Sequence, residues 1–410
     1  MQRKTESKFT VFNTVLMLLC VTNVLELFLP RDETTNSFIR LPIQLIHLGI
    51  IGLMWRSILL KKRNWNQVTV NTALLVSIVV IYIIVFIFGD ESVPLSAYSQ
   101  YIRTIEWLSV LIYFYESLLR YSLNLFLMRW YIITYIISVL KQLLEASFFD
   151  REKLGGGDTA SFPLLFLIPL ILMCFYERWK SVAIGFACIL IMISLRRTTI
   201  IGLALCLPFI FSYLKTKLKS YEVIGSIIVI IIAVGFAWSK FGDSLVTRFD
   251  EMFQGRDDGS YGSGRSDFYT LVWETWIKGN LSLLFGNGVF GVRKLLLAKF
   301  SIIHAHNDYL EIAYTFGLLG LTIWFGFIVS IWRTKALIKK YSPTNLNIFY
   351  INFISFIIIT LASGCLLRVT TIPFSMVVAI LLYEVRKGKR LKKEGEQQQL
   401  ALKYNTAMQN

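Results

Sequence analysis

Charge is scarce in this sequence: 17% of its 410 residues are Asp, Glu, Lys or Arg, where a soluble chain of that length carries about a quarter. So little charge cannot clothe the two or three soluble domains that the length alone would suggest. Disorder is excluded from the other side, because it requires low hydrophobicity, and here 55% of the residues are hydrophobic with a mean hydropathy of +0.59. Histidine is limited to three residues and cysteine to five, Cys20, Cys174, Cys188, Cys206 and Cys365. All five cysteines lie in or at the ends of apolar runs and none forms a CxxC pair, which excludes a disulfide framework and a thiolate metal site. No small-residue cleavage site follows the first apolar run, where Leu29-Pro30-Arg31-Asp32 stands, so that run is expected to stay in the protein as a helix. The G-x-x-x-x-G-K-[ST] loop of nucleotide hydrolases is missing as well, which leaves that class unsupported.

What the chain has instead is long apolar runs. A helix crossing about 30 Å of hydrocarbon needs about 20 largely apolar residues. Twelve runs qualify as candidates, at 9–29, 40–60, 68–88, 104–119, 122–140, 160–176, 179–195, 198–214, 221–238, 309–332, 346–363 and 369–385. The expected fold is therefore all-α, a polytopic membrane protein of about twelve spans. The net charge of +16 would point a soluble protein toward nucleic acid, but the Lys and Arg residues sit between apolar runs, and no nucleic-acid partner is expected. Twelve spans put both termini on one side. Starting inside, the cytoplasmic segments hold Arg3, Lys4 and Lys8; Lys61, Lys62 and Arg63; Arg120; Arg178 and Lys180; Lys215, Lys217 and Lys219; Arg333, Lys335, Lys339 and Lys340; and the basic run 386–393. Each is basic, as the positive-inside rule demands.

Three arginines break the pattern. Arg196 and Arg197 fall at the outer end of the seventh span and Arg368 at the outer start of the twelfth. A single such Arg is often explained by snorkelling to headgroups. The Arg196-Arg197 pair followed by Thr198-Thr199 would also hold an anion at the outer membrane surface.

The longest stretch between spans is 239–308, with eight basic and eight acidic residues. Extracytoplasmic chemistry should centre there. Its glycine-rich first part contains Gly262-Ser263-Gly264-Arg265, which could cradle phosphate through backbone N–H groups or be a mobile loop. Residues 268–277 carry Phe268, Leu271, Val272 and Trp276 at helical spacing and read as an amphipathic helix on or in the membrane face. A turn cluster, 284–291, and a basic stretch, 293–299, follow. The loop ends at His304-Ala305-His306-Asn307-Asp308. His304 and His306 with Asp308 invite a metal reading. No further His or Cys lies in any other loop, and the expectation is that no metal is bound. One imidazole could instead act as a general base, and Asn307 or Asp308 could simply cap the tenth helix.

His306-Asn307, nine residues, Gly317, two residues, Gly320 resembles the signature of the O-antigen ligase family and the related polysaccharide polymerases. Ser263-Gly264-Arg265, followed by Trp273 and then Gly286-Asn287-Gly288, is similar to the family's second mark. Arg197-Thr198, with Arg196 beside it, is similar to its third, an Arg at the outer end of an earlier span. The resemblance is close from about 180 to 335 and only hydropathic over the first 150 residues. It implies metal-independent, cofactor-free transfer of a glycan from a polyprenyl (undecaprenyl-type) diphosphate donor at the outer face of a bacterial inner membrane. The acceptor would be a sugar hydroxyl on a glycan or a lipid-linked glycan, the product lipopolysaccharide, capsule or exopolysaccharide, and a chain-length regulator protein a partner. In that reading Arg197 and Arg265, with Arg196 in reserve, hold the diphosphate. His306 takes the acceptor proton, a single displacement inverts the anomeric centre, and Asn307, His304, Gly317 and Gly320 support the site.

The corresponding division is an N-terminal bundle of about nine spans, 1–238; the extracytoplasmic loop, 239–308; three C-terminal spans, 309–385; and a basic, polar cytoplasmic tail, 386–410. Two rivals remain. Twelve spans with both ends inside also suit a transporter or flippase of lipid-linked oligosaccharides, whose path Glu26, Glu106 and Glu116 could line. Against it, the halves show no repeat, and Glu106, Glu116 and Arg129 serve equally well as interhelical ties. A non-enzymatic scaffold for envelope assembly is the third reading.

Overall fold

The computed structural model describes residues 10–28, 37–59, 95–149, 162–194, 196–217, 265–288, 290–300, 305–362 and 371–409, with scattered residues between 224 and 246. Within these helices some side chains, Arg265 and Ser266 among them, are outside the description. Among the described residues every regular element is helical: α1 (Val11–Glu26), α2 (Ser37–Leu59), α3 (Leu95–Leu118), α4 (Leu125–Phe149), α5 (Phe162–Cys174), α6 (Glu177–Ile193), α7 (Arg197–Lys217), α8 (Arg265–Ile277), α9 (Asn280–Phe285), α10 (Gly291–Phe300), α11 (Asp308–Tyr341), α12 (Leu346–Ala362) and α13 (Ile372–Gln409). Four stretches are long and apolar enough to cross a membrane, Pro42–Leu59, Arg197–Thr216, Asp308–Tyr341 and Pro343–Ala362. Shorter apolar helices accompany them at Val11–Leu25, Phe162–Cys174 and Trp179–Ile193. The expected third span, 68–88, lies outside the described residues, as does most of the ninth, 221–238.

The bundle is organised around α5. At thirteen residues it is about 20 Å long, short for a span, and it is hydrophobic on all sides. Every one of its side chains except Met173 is buried, as befits a helix with no polar face to offer. It packs against α4, α6, α7, α12 and α13. Its last carbonyls have no intrahelical donors, and without water at that depth they need others. The Tyr213 hydroxyl donates to the Leu172 carbonyl at 3.1 Å, and Arg129 Nε donates to that of Cys174 at 2.8 Å. The Arg129 guanidinium also sits 3.5 Å from the centre of the Tyr176 ring.

α1 to α4 form one flank, with α1 against α2 and α4, and α2 against α3. α1 starts at Thr10, whose hydroxyl accepts from the Asn13 N–H at 3.2 Å, an N-cap in the usual sense. Polar side chains tie this flank together across helices. Asn23 Nδ2 donates to Thr134 Oγ1 at 3.4 Å and Trp55 Nε1 to Ser109 Oγ at 3.0 Å. His47 Nδ1 lies 2.8 Å from the Glu106 carboxylate, with both residues buried. Glu106 and Arg129, read as interhelical ties, act as such, and Glu116 pairs with Arg120 one turn on, at 3.9 Å.

α7 and α12 run antiparallel at close quarters. Asn347 Nδ2 donates to Ser212 Oγ at 3.0 Å, Cys206 Sγ meets the Ile351 carbonyl and Ser355 Oγ at 3.6 Å, and a Cβ on Gly202 would stand 2.7 Å from Leu165 and 3.7 Å from Ile358. Small residues at these positions let the backbones approach.

Two helices depart from the expected spans. α11 is not one rod. Gly317 has φ 65° and ψ −163°, which breaks it into 308–316 and 318–341. α13 does not stop at the membrane edge near 385 but continues through the basic segment as a single helix of 38 residues. It passes so close to the end of α11 that a Cβ on Gly388 would meet the Tyr341 carbonyl at 2.0 Å.

Candidate functional site

The site residues gather where α11 begins. Asn307 is the N-cap of α11: its Oδ1 accepts from the Tyr309 N–H at 3.0 Å and the Leu310 N–H at 3.2 Å. The same amide donates from Nδ2 to the Leu361 carbonyl at 3.0 Å, so it fastens the start of α11 to the end of α12. The cap expected of Asn307 is therefore present, with a second duty that sequence gave no hint of.

One residue upstream, His306 takes φ 54°, the one left-handed non-glycine among the described residues. This conformation costs a non-glycine residue about 1–2 kcal/mol, so its surroundings must hold it. On its N-terminal side, Ala305 is fully buried and its N–H donates to Glu311 Oε2 at 3.1 Å. Glu311 itself is buried one turn into α11 and reaches back past the cap. From the side, the Tyr269 hydroxyl of α8 donates to the His306 carbonyl at 3.5 Å. His306 is half-buried and Asp308 is buried. Tyr269 was passed over by sequence reasoning, and Glu311, though part of the family-like string that starts at His304, was given no role there. The only signals were Tyr269 four residues after Arg265 and Glu311 four after Asn307, which is helical spacing in each case.

α8 is the helix expected at 268–277, begun one turn earlier at Arg265. Its apolar stripe does not face lipid as expected. Phe268, Val272 and Trp276 are buried with Val292 and Leu296 of α10, Ala305, and Ala313 and Tyr314 of α11. The apolar face is satisfied by protein because α10, the basic stretch 293–299, folds as a helix and covers it. Arg265 is the first residue of α8, one turn before Tyr269, so its backbone stands within a turn of the contact to His306. The glycine-rich segment before it and His304 lie outside the described residues.

Arg197 opens α7. The antiparallel register with α12, stepping from Ser212 and Asn347 through Cys206 and Ser355 to Gly202 and Ile358, carries the start of α7 to the level of Leu361. That is the residue whose carbonyl Asn307 holds. Arg196 and Arg197 are both half-buried, and the Arg196 guanidinium lies 4.8 Å from the centre of the Phe162 ring at the start of α5. Arg368, seven residues beyond Leu361, is outside the described residues. The third histidine, His47, is engaged with Glu106 in the bundle. Among the described residues no three His, Cys, Asp or Glu side chains come together as a metal set.

The two glycine marks meet each other. A Cβ on Gly286 would stand 2.1 Å from the Thr315 carbonyl oxygen, and one on Gly317 would stand 2.3 Å from the backbone of Leu284. The break at Gly317 frees carbonyls in the preceding turn, and the Asn287 and Gly288 N–H groups take them, donating to Tyr314 at 2.7 Å and Thr315 at 3.1 Å. Gly286 and Gly288 both have positive φ, 81° and 86°, and Gly320 has no room for a Cβ beside Phe316.

Residues 181–325 match the family model described as O-Antigen ligase. The likeness covers that stretch, about a third of the chain. The family segment begins in α6, ends in α11, and takes in Arg196, Arg197, Arg265, His306, Asn307, Gly317 and Gly320. No curated protein matches the chain. Helices long and apolar enough to cross a bilayer make this relative of the O-antigen ligases a membrane protein.

Proposed function

We propose that the protein is a membrane glycosyltransferase that moves a glycan from a polyprenyl-diphosphate donor to an acceptor sugar hydroxyl at the outer face of a bacterial inner membrane. The observation that carries this reading is the convergence at one end of the bundle: the start of α7 at Arg197, the start of α8 at Arg265 and the His306-Asn307 cap, all within the O-antigen ligase segment. As the anomeric carbon–oxygen bond breaks, its electron pair goes to the leaving diphosphate, which gains charge. Planar guanidinium groups pair well with phosphate oxygens, and Arg197 and Arg265, with Arg196 close by, supply them in place of a metal. The acceptor hydroxyl attacks the same carbon from the opposite face and gives its proton to the His306 imidazole, which inverts the configuration. The polyprenyl tail lies along the apolar helices in the bilayer. About twelve spans and cytoplasmic termini complete the arrangement, with 239–308 on the outer side and a chain-length regulator as partner.

Ligase and polymerase differ only in the acceptor, and one experiment separates them. His306→Ala in the native host, at a membrane level equal to wild type, is expected to abolish surface polysaccharide on a gel. Accumulation of lipid-linked single repeats identifies a polymerase, and accumulation of long lipid-linked chains a ligase. Unchanged polysaccharide would remove His306 from the chemistry and favour the scaffold or transporter.

A further inference from the structure

The segment 279–288, α9 and the Gly286-Asn287-Gly288 turn, was read as part of an extracytoplasmic loop. We infer that it is instead a re-entrant hairpin seated in the hydrocarbon of the bilayer, its apolar side against lipid acyl chains. Three observations lead there, none of which depends on the glycosyl-transfer reading.

The first is composition against exposure. Residues 279–292 contain no charge, while Lys278 stands on one side and Arg293-Lys294 on the other. Leu281, Leu284 and Phe285 occupy one face of α9 at i, i+3 and i+4 and all are exposed, Leu281 at 75% and Phe285 at 63%. They continue a surface formed by exposed Trp273 and Ile277 of α8 and by exposed Leu318, Leu319, Phe325 and Val329 of α11. The contact of Gly317 with the Leu284 backbone makes these surfaces adjoin. An apolar patch of this extent in water would be unusual. Flanked by cations that snorkel to phosphate headgroups, it suits a membrane.

The second is depth. Residues 312–332 of α11 are uncharged, and Arg333 is the first charge after them. Gly317 precedes Arg333 by sixteen residues, about 24 Å of helix, whereas the hydrocarbon is about 30 Å thick. With Arg333 at one boundary, Gly317 lies about 6 Å inside the other, and tilt only moves it deeper. α9 rests on Gly317, so it shares that depth.

The third is the backbone. Irregular chain at membrane depth is tolerated only where its polar groups are satisfied by protein. The Asn287 and Gly288 N–H groups are given to the carbonyls that the break in α11 sets free, at 2.7 and 3.1 Å, and the Gly286 N–H goes to the Ser282 carbonyl at 2.8 Å. Each irregularity satisfies the other, as water would do for an exposed loop.

The test uses the wild-type chain in nanodiscs of phosphatidylethanolamine and phosphatidylglycerol doped with a phospholipid carrying a diazirine in its acyl chain. Trypsin cuts after Lys278 and Arg293, so the segment is released as one peptide, 279–293. After photolysis that peptide is expected to carry lipid adducts at a yield comparable to the peptide 300–333, which contains the α11 span. Adducts on 300–333 with none on 279–293 would overturn the proposal. So would strong labelling of 279–293 by a water-soluble diazirine in undoped discs.

Discussion

One amide, that of Asn307, receives two N–H groups of the first turn of α11 and gives its own N–H to the last turn of α12. The duties separate by substitution. Asn307→Asp keeps the acceptor and loses the donor, while Asn307→Ala loses both. Loss of an N-cap costs about 1 kcal/mol, and up to about 2, so the alanine variant should melt several degrees lower in detergent. The aspartate variant should stay close to wild type in melting temperature while transferring less glycan, because α12 no longer fixes the cap. Equal activity in wild type and Asn307→Asp would show that the Leu361 tie is idle. The cap was legible in the sequence, since Asn directly before an apolar periodic run is a start signal. The left-handed turn at His306 was not, because nothing local favours it there. It is held by Tyr269, 37 residues away, and by a glutamate one residue beyond the usual capping-box position.

Among elements, the interlocking of the α9 turn with the break in α11 is the most exacting contact in the family segment. Its glycines are not equivalent. A Cβ at Gly286 or Gly317 would run into backbone that cannot yield, whereas one at Gly288 has nothing within 4 Å. Gly288→Ala pays only for its positive φ, about 1–2 kcal/mol, and should accumulate in membranes with a modestly lowered melting temperature. Gly286→Ala and Gly317→Ala add displaced backbone and should fail to accumulate. Similar levels of all three would mean that the close approach is not needed. The sequence offered both glycine motifs as marks, and a helix running through Gly317. What it could not offer was the reason for their presence, a contact between segments thirty residues apart that replaces helical hydrogen bonds by others. The same non-local cause hid the fate of α8. Its stripe of Phe268, Val272 and Trp276 was plain, but which surface would cover it depended on α10 folding beside it.

For the whole molecule, the question that composition raised was whether its membrane charges serve a path or a scaffold. Glu106 and His47 are buried together between α2 and α3, away from the cap of α11. Removing one partner leaves the other's buried polar group without its hydrogen bond, which costs about 1–3 kcal/mol. Glu106→Ala should therefore lower the melting temperature yet leave transfer per folded molecule unchanged. A transporter using Glu106 would show the reverse, lost activity at unchanged stability. The all-helical membrane class was readable from run length and charge alone. Where spans contain charge, as α3 and α4 do, hydropathy blurs their limits, and at the far end it mistook one helix for two things. α13 leaves the bundle at Gly388, pressed against the Tyr341 carbonyl, and the 21 residues that follow remain helical to Gln409. At 1.5 Å per residue they form an arm about 30 Å long, laced by pairs such as Arg390 with Glu394 at 3.5 Å. Anything joined to Gln409 is therefore carried on a lever pivoted at Gly388 instead of a leash: it sweeps a narrow cone at a set standoff, and its bearing reports the orientation of the bundle.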